Sequence, residues 1–133
     1  MKNYLSALII LFFTMLVTSC QKEIDCDISQ KLNGVWNWVE SIGGIGGWTL
    51  TPESEHKTKT IKIENMTYRE YENDSLVIQA RYNFIIKPDT YYETHYFIEL
   101  ENGGELAFNI IGSELKLYEQ CFDCYHHTYK RKE

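Results

Sequence analysis

From Leu76 to Lys87 the chain alternates with a period of two for twelve residues. Leu76, Ile78, Ala80, Tyr82, Phe84 and Ile86 fall on one face, and Gln79, Arg81, Asn83 and Lys87 on the other. Successive side chains of a strand point to opposite faces, so this pattern spells a long strand with one buried face and one wet face. Such a strand needs partners along both edges, and the rest of the chain offers them. Tyr92, Tyr96, Ile98 and Leu100 alternate with Glu93, His95 and Glu99. Shorter candidates are Val35–Ser41, Lys57–Glu64, Thr67–Glu72, Glu105–Ile111, Glu114–Tyr118 and Tyr125–Arg131. Turn signals separate them at Glu72-Asn73-Asp74-Ser75, Lys87-Pro88-Asp89, Glu101-Asn102-Gly103-Gly104 and Gly112-Ser113. No segment after residue 30 holds a 3.6-residue period over three turns. Eight short antiparallel strands joined by hairpins predict an all-β fold, a sandwich or a closed up-and-down barrel. Closure leaves no exposed edge, so the barrel is the expected architecture.

At 133 residues there is room for one domain. Thirteen Lys and Arg against 19 Asp and Glu give a formal charge of −6, the wrong sign for a nucleic-acid partner. The amino terminus is of a different kind. Met1-Lys2-Asn3 precedes an apolar run from Leu5 to Val17, interrupted by Ser6 and Thr14. Such a run spans about 20 Å as a helix, short of the ~30 Å hydrocarbon core, and so reads as a signal peptide and not a spanning anchor.

The run ends in Val17-Thr18-Ser19-Cys20, which resembles the bacterial lipobox. The resemblance implies cleavage before Cys20, a diacylglycerol on its thiol and an acylated amine. Several acyl chains at about 0.8 kcal/mol per buried methylene make a firm membrane anchor. The following Gln21-Lys22-Glu23-Ile24-Asp25 looks like the Lys-plus-acidic export signal of Bacteroidetes surface lipoproteins. The expected organisation is a signal peptide over 1–19, a lipidated tether over 20–30 and a barrel over 31–133. The expected location is the cell envelope, on the surface or periplasmic face of the outer membrane.

Leu32-Asn33-Gly34-Val35-Trp36, at the first strand, resembles the Gly-x-Trp signature of lipocalins and related calycins. In that fold the Trp plugs the barrel base beneath an Arg from the last strand. Arg131, in Tyr129-Lys130-Arg131, is the matching candidate, on one strand face with Tyr129 and His127. Together with Gly43-Gly44-Ile45-Gly46-Gly47 and Thr51-Pro52, the chain looks like the small lipocalin-like lipoproteins of Bacteroidetes. The resemblance implies a lipocalin-like barrel with structural roles for Gly34, Trp36 and Arg131. It departs in size, because typical lipocalins are longer.

The glycine stretch before Trp48 lacks the Gly-Lys-Ser/Thr ending of a phosphate loop, and its spacing misses Gly-x-Gly-x-x-Gly. In a lipocalin-like barrel it is the first loop, over the open end, where Ile45 and Trp48 would form an apolar lid or cap a filled core. Cys121-Phe122-Asp123-Cys124-Tyr125-His126-His127 has Tyr125 where a haem-attachment site needs His. The thiolates with His126 or His127 could chelate zinc, but disulfides are the expected state of an exported protein. With Cys20 lipidated, three cysteines remain. A bridge from Cys26 to Cys121 or Cys124 would pin the tether to the last hairpin, whereas Cys121 and Cys124 could pair across a turn. Asp74-Ser75-Leu76 resembles the Bacteroidetes O-glycosylation motif, which marks Ser75.

No Ser sits in a Gly-x-Ser-x-Gly elbow. Glu70 with Glu72, and Glu99 with Glu101, read as solvent-facing strand residues. The chain is therefore expected to be no enzyme and to need neither cofactor nor metal. The expected function is a membrane-anchored barrel that holds a small apolar or amphipathic ligand between Tyr82, Phe84, Tyr96 and Ile98, under Ile45 and Trp48. The alternative is a solid-core accessory or interaction lipoprotein of the envelope with no small-molecule ligand.

Overall fold

The computed structural model describes residues 26–88 and 96–133. The signal peptide, Cys20, Tyr92 and His95 lie outside the described residues. The chain divides into two compact units, Met1–Lys31 and Leu32–Glu133. A helix over residues 26–32, α1, takes the place of the carboxy-terminal half of the expected tether. Within the first unit Lys31 Nζ pairs with Asp27 Oδ2 at 2.7 Å, one helical turn away. No helix among the described residues is long and apolar enough to cross a membrane.

The second unit is a closed antiparallel barrel of eight strands, lipocalin-like in architecture. Its strands are β1 (Gly34–Gly43), β3 (Lys59–Glu64), β4 (Thr67–Glu72), β5 (Ser75–Ile86), β6 (Tyr96–Leu100), β7 (Glu105–Ile111), β8 (Glu114–Glu119) and β9 (Tyr125–Arg131). Each pairs with its neighbour in sequence, and β9 returns to β1 to close the ring. One short strand, β2 (Trp48–Leu50), shares an edge of β1 with β3. Residues Gly34–Asn37 pair with β3, and Ser41–Gly43 pair with β2. The turn of helix α2 (Pro52–Glu55) sits between the two. Thr51 caps it, accepting from the Ser54 amide while the Thr51 amide donates to Ser54 Oγ, and Pro52 supplies the preset first-turn geometry.

Two hairpin turns explain how short strands hold register. Asn65-Met66 and Asn73-Asp74 both have positive φ at the two central positions, the type I′ pattern that matches strand twist. Two bulges then re-aim side chains. In β1 the register shifts between Trp38 and Glu40, so Trp38 and Ser41, three residues apart, both face inward opposite Tyr129 and His127. Between β4 and β5, Glu70 pairs with Ile78 but Tyr71 with Leu76. That shift rotates Leu76 out of the alternation read from the sequence, and it stands 51% exposed. Ile86, at the far end of the same strand, is also substantially exposed, so only the middle of β5 contributes to the core.

The interior is filled by Trp36, Ile61, Ile63, Tyr68, Tyr82, Ile98, Phe108, Leu115, Leu117 and Tyr129, all nearly inaccessible. At one end Trp36 closes the barrel. Its indole N–H donates to the Leu32 carbonyl at 2.9 Å, and the Arg131 guanidinium lies 4.1 Å from its ring centroid. Arg131 Nη1 also donates to the Asn33 carbonyl at 2.8 Å. Such a stack is worth about 0.5–2 kcal/mol. Gly34 makes room for it: φ is +147° there, and a Cβ would collide with Arg131 Nη1.

Candidate functional site

The opposite end is not filled. There the strands stop around a cavity of about 490 Å³ that reaches the surface. Its floor is apolar, from Ile78, Leu100, Leu106 and Leu117. Its walls are polar, with Glu70 from β4, Glu119 from the end of β8, His127 and Tyr129 from β9, Tyr68 and Lys59. Glu105 stands at the rim, where Lys87 pairs with it at 2.6 Å. Gln120 and Cys124 complete the side next to the last hairpin.

A hydrogen-bonded chain runs behind this wall. The Trp38 indole N–H donates to Ser41 Oγ at 2.8 Å, and Ser41 Oγ lies 2.6 Å from His127 Nδ1. His127 Nε2 is 3.1 Å from Glu119 Oε1, while Glu119 Oε2 accepts from the Tyr125 amide at 3.3 Å. A carboxylate only accepts, so in the neutral imidazole the proton sits on Nε2, Nδ1 is the acceptor and Ser41 donates to it. The order Ser, His, Glu is that of a hydrolase triad, but Ser41 is 2% exposed, does not line the cavity and already accepts from Trp38. The chain of bonds therefore orients His127 and Glu119, and Ser41 itself is not placed to act on a molecule in the cavity.

The two tyrosines register the charge of this wall. Burial pushes the Tyr68 hydroxyl well above its usual range, and the Glu70 carboxylate, which accepts its proton at 3.0 Å, pushes it further. Burial also raises Tyr129, followed by the charges of Glu70 and Glu119. Both carboxylates thus act electrostatically on both hydroxyls. On the outer face, burial and the neighbouring His127 hold His126 below the usual imidazole range, where it packs edge-on against Tyr118 at 5.1 Å.

The residues singled out from the sequence lie elsewhere. Tyr82 and Ile98 are core residues, and Phe84 and Tyr96 join Phe108 in a half-buried aromatic cluster with centroids 5.8–5.9 Å apart. Ile45 and Trp48 stand 93% and 66% exposed. None of these six belongs to the cavity wall. Ser75 is exposed, next to the Asn73-Asp74 turn. The bridge joins Cys121 to Cys124, and Cys26 is free and exposed, so the long closure through Cys26 does not form. The tight β8–β9 hairpin already brings Cys121 and Cys124 to a Cα separation of 5.2 Å, well within bridging range. Among the described residues no group of three His, Cys, Asp or Glu is arranged to hold a metal.

Glu70 corrects the expectation of a solvent-facing carboxylate: its register with Ile61 and Ile78 turns it inward. Glu119 and His127 carry no recognisable spacing, because β-pairing and not sequence proximity joins them. The inward face shared by His127, Tyr129 and Arg131 was the available signal. No family model matches the chain, and no curated protein or solved structure is detectably similar to it.

Proposed function

We propose that this chain is a membrane-anchored, lipocalin-like lipoprotein that carries a small apolar or amphipathic ligand at the open end of its barrel. The observation that carries the reading is the half-filled interior: one end is sealed by Trp36 and Arg131, while the other keeps a 490 Å³ cavity with an apolar floor. A cavity of that size and lining suits a small organic molecule. The anchor is supported by the apolar run Leu5 to Val17 and the lipobox-like Val17-Thr18-Ser19-Cys20. Ile45 in the loop after β1, Trp48 at the start of β2 and Phe122 in the β8–β9 hairpin leave exposed apolar surface. In the loop after β1 a Cβ on Gly44 would lie 3.1 Å from the Tyr125 hydroxyl, so this loop packs against the start of β9.

Two measurements test the reading. Metabolic labelling with a clickable fatty acid should mark the full chain and not its Cys20→Ser variant; equal labelling of both overturns the anchor. Native against denaturing intact mass of the full chain, exported in a related host, should reveal a removable organic mass. A bare protein in both spectra favours the solid-core accessory lipoprotein, for which the packed middle of the barrel is the supporting observation.

A further inference from the structure

The cavity wall has a chemical preference that a general apolar carrier would not need. Glu70 forms no ion pair among the described residues; its side-chain partner there is the neutral Tyr68 hydroxyl. Glu119 enters from the facing side of the ring, held in place by His127 and the Tyr125 amide. Tyr129, between them, is 2% exposed, yet its hydroxyl has no hydrogen-bond partner among the described residues. The hydroxyl is reached from the cavity it lines, so its partner is supplied by whatever fills that space. It lines the cavity together with two carboxylates, so one wall presents a hydroxyl and carboxylate oxygens to a bound donor.

Resting on the reading that this cavity holds a ligand, we propose that the ligand is an amphipathic amine. Its apolar part lies on Ile78, Leu106 and Leu117, and its ammonium is held by Glu70 and Glu119 with the Tyr129 hydroxyl as a further acceptor. An ammonium carries several donors and no acceptor, which matches a wall of carboxylate and hydroxyl oxygens. Lys59 is the opposing charge in the same wall. Its ammonium is 5.4 Å from the Trp38 ring centroid, a cation–π contact that gives it an aromatic partner of its own.

The test is calorimetric titration of the full chain with hexylammonium, hexanol and hexanoate at neutral pH. Hexylammonium should bind at least about ten-fold more tightly than hexanol, the scale of one charge-assisted hydrogen bond. Glu70→Gln, which keeps the acceptor for Tyr68, should abolish that preference and leave hexanol unchanged. Tyr129→Phe should weaken hexylammonium by a smaller factor without altering the fold. Equal binding of amine and alcohol overturns the amine assignment but leaves the cavity as a ligand site. Tighter binding of hexanoate also overturns it and makes Lys59 the recognising group. No binding by any probe overturns both this inference and the ligand-carrying function beneath it.

Discussion

The two ends of the barrel are built from the same kind of strand and have opposite chemistry. At the closed end the Trp36 indole is answered by Leu32, and the Arg131 guanidinium by Asn33 and by the indole face. At the open end the inward positions of the same strands carry Glu70, Glu119, His127 and Tyr129, all lining the cavity. Strand β9 shows the transition within a few residues, from Arg131 stacked on Trp36 to His127 at the cavity wall. The lesson is that period two assigns faces but not their polarity. An inward position is apolar only where the interior is packed, and a carboxylate survives there where the interior is open to water.

If the closed end is the seat of stability, its loss should be the largest effect. Trp36→Ala removes the largest fully buried side chain and should destabilise the barrel by about 3–5 kcal/mol, read as a lowered midpoint in urea. A loss below 1 kcal/mol would erase the contrast between the ends.

Alkali probes the open end. Tyr68 and Tyr129 hold their protons more tightly folded than unfolded, where the hydroxyl titrates near pH 10. Their contribution is fully present below about pH 10 and is lost as pH rises above it towards the raised folded values. Stability should therefore fall by about 1.4 kcal/mol per pH unit for each tyrosine, and Tyr129→Phe should remove one such increment from the slope. A pH-independent urea midpoint between pH 10 and 11 would contradict the placement of both hydroxyls.

Ser41 joins the two regions, since it sits in the packed wall and steers a cavity residue. Ser41→Ala leaves the Trp38 N–H and His127 Nδ1 without their partner and should destabilise by about 1–3 kcal/mol. If Ser41 served instead as a nucleophile, the same variant would leave stability intact and abolish labelling by a fluorophosphonate, an outcome that would reverse the structural assignment.

Much of this architecture is legible in the sequence, and the rest is hidden for physical reasons. Alternation and turn residues mark all eight barrel strands, because a half-buried strand writes its faces directly into residue polarity. The stacking of Arg131 on Trp36 is implied by the resemblance of Gly34-Val35-Trp36 to the Gly-x-Trp signature, not by the alternation pattern. The bulge that turns Leu76 outward leaves no mark, since Val77 and Leu76 are equally apolar. Strand β2 is too short to show a period, and the single helical turn after it is not read from the sequence. The cavity is the least legible part. Its carboxylates look like surface residues, and the pairs that define it are joined by register alone.

The smallest stability effect falls on the residue with the largest proposed role. Glu70→Gln is nearly isosteric and keeps an oxygen for the Tyr68 hydroxyl, so the packing around it is unchanged. It also removes a negative charge that acts on two buried hydroxyls. The urea midpoint should accordingly move by no more than about 0.5 kcal/mol in stability, and upward if at all, as expected where a site keeps a charge for binding at the expense of the fold. The same substitution in a merely solvated surface carboxylate would also be silent, so the decisive reading is the pair of measurements. Unchanged or raised stability together with lost amine preference places Glu70 in the binding wall. A destabilisation above 1 kcal/mol would instead make its carboxylate part of the structural network and bring the open end closer in character to the closed one.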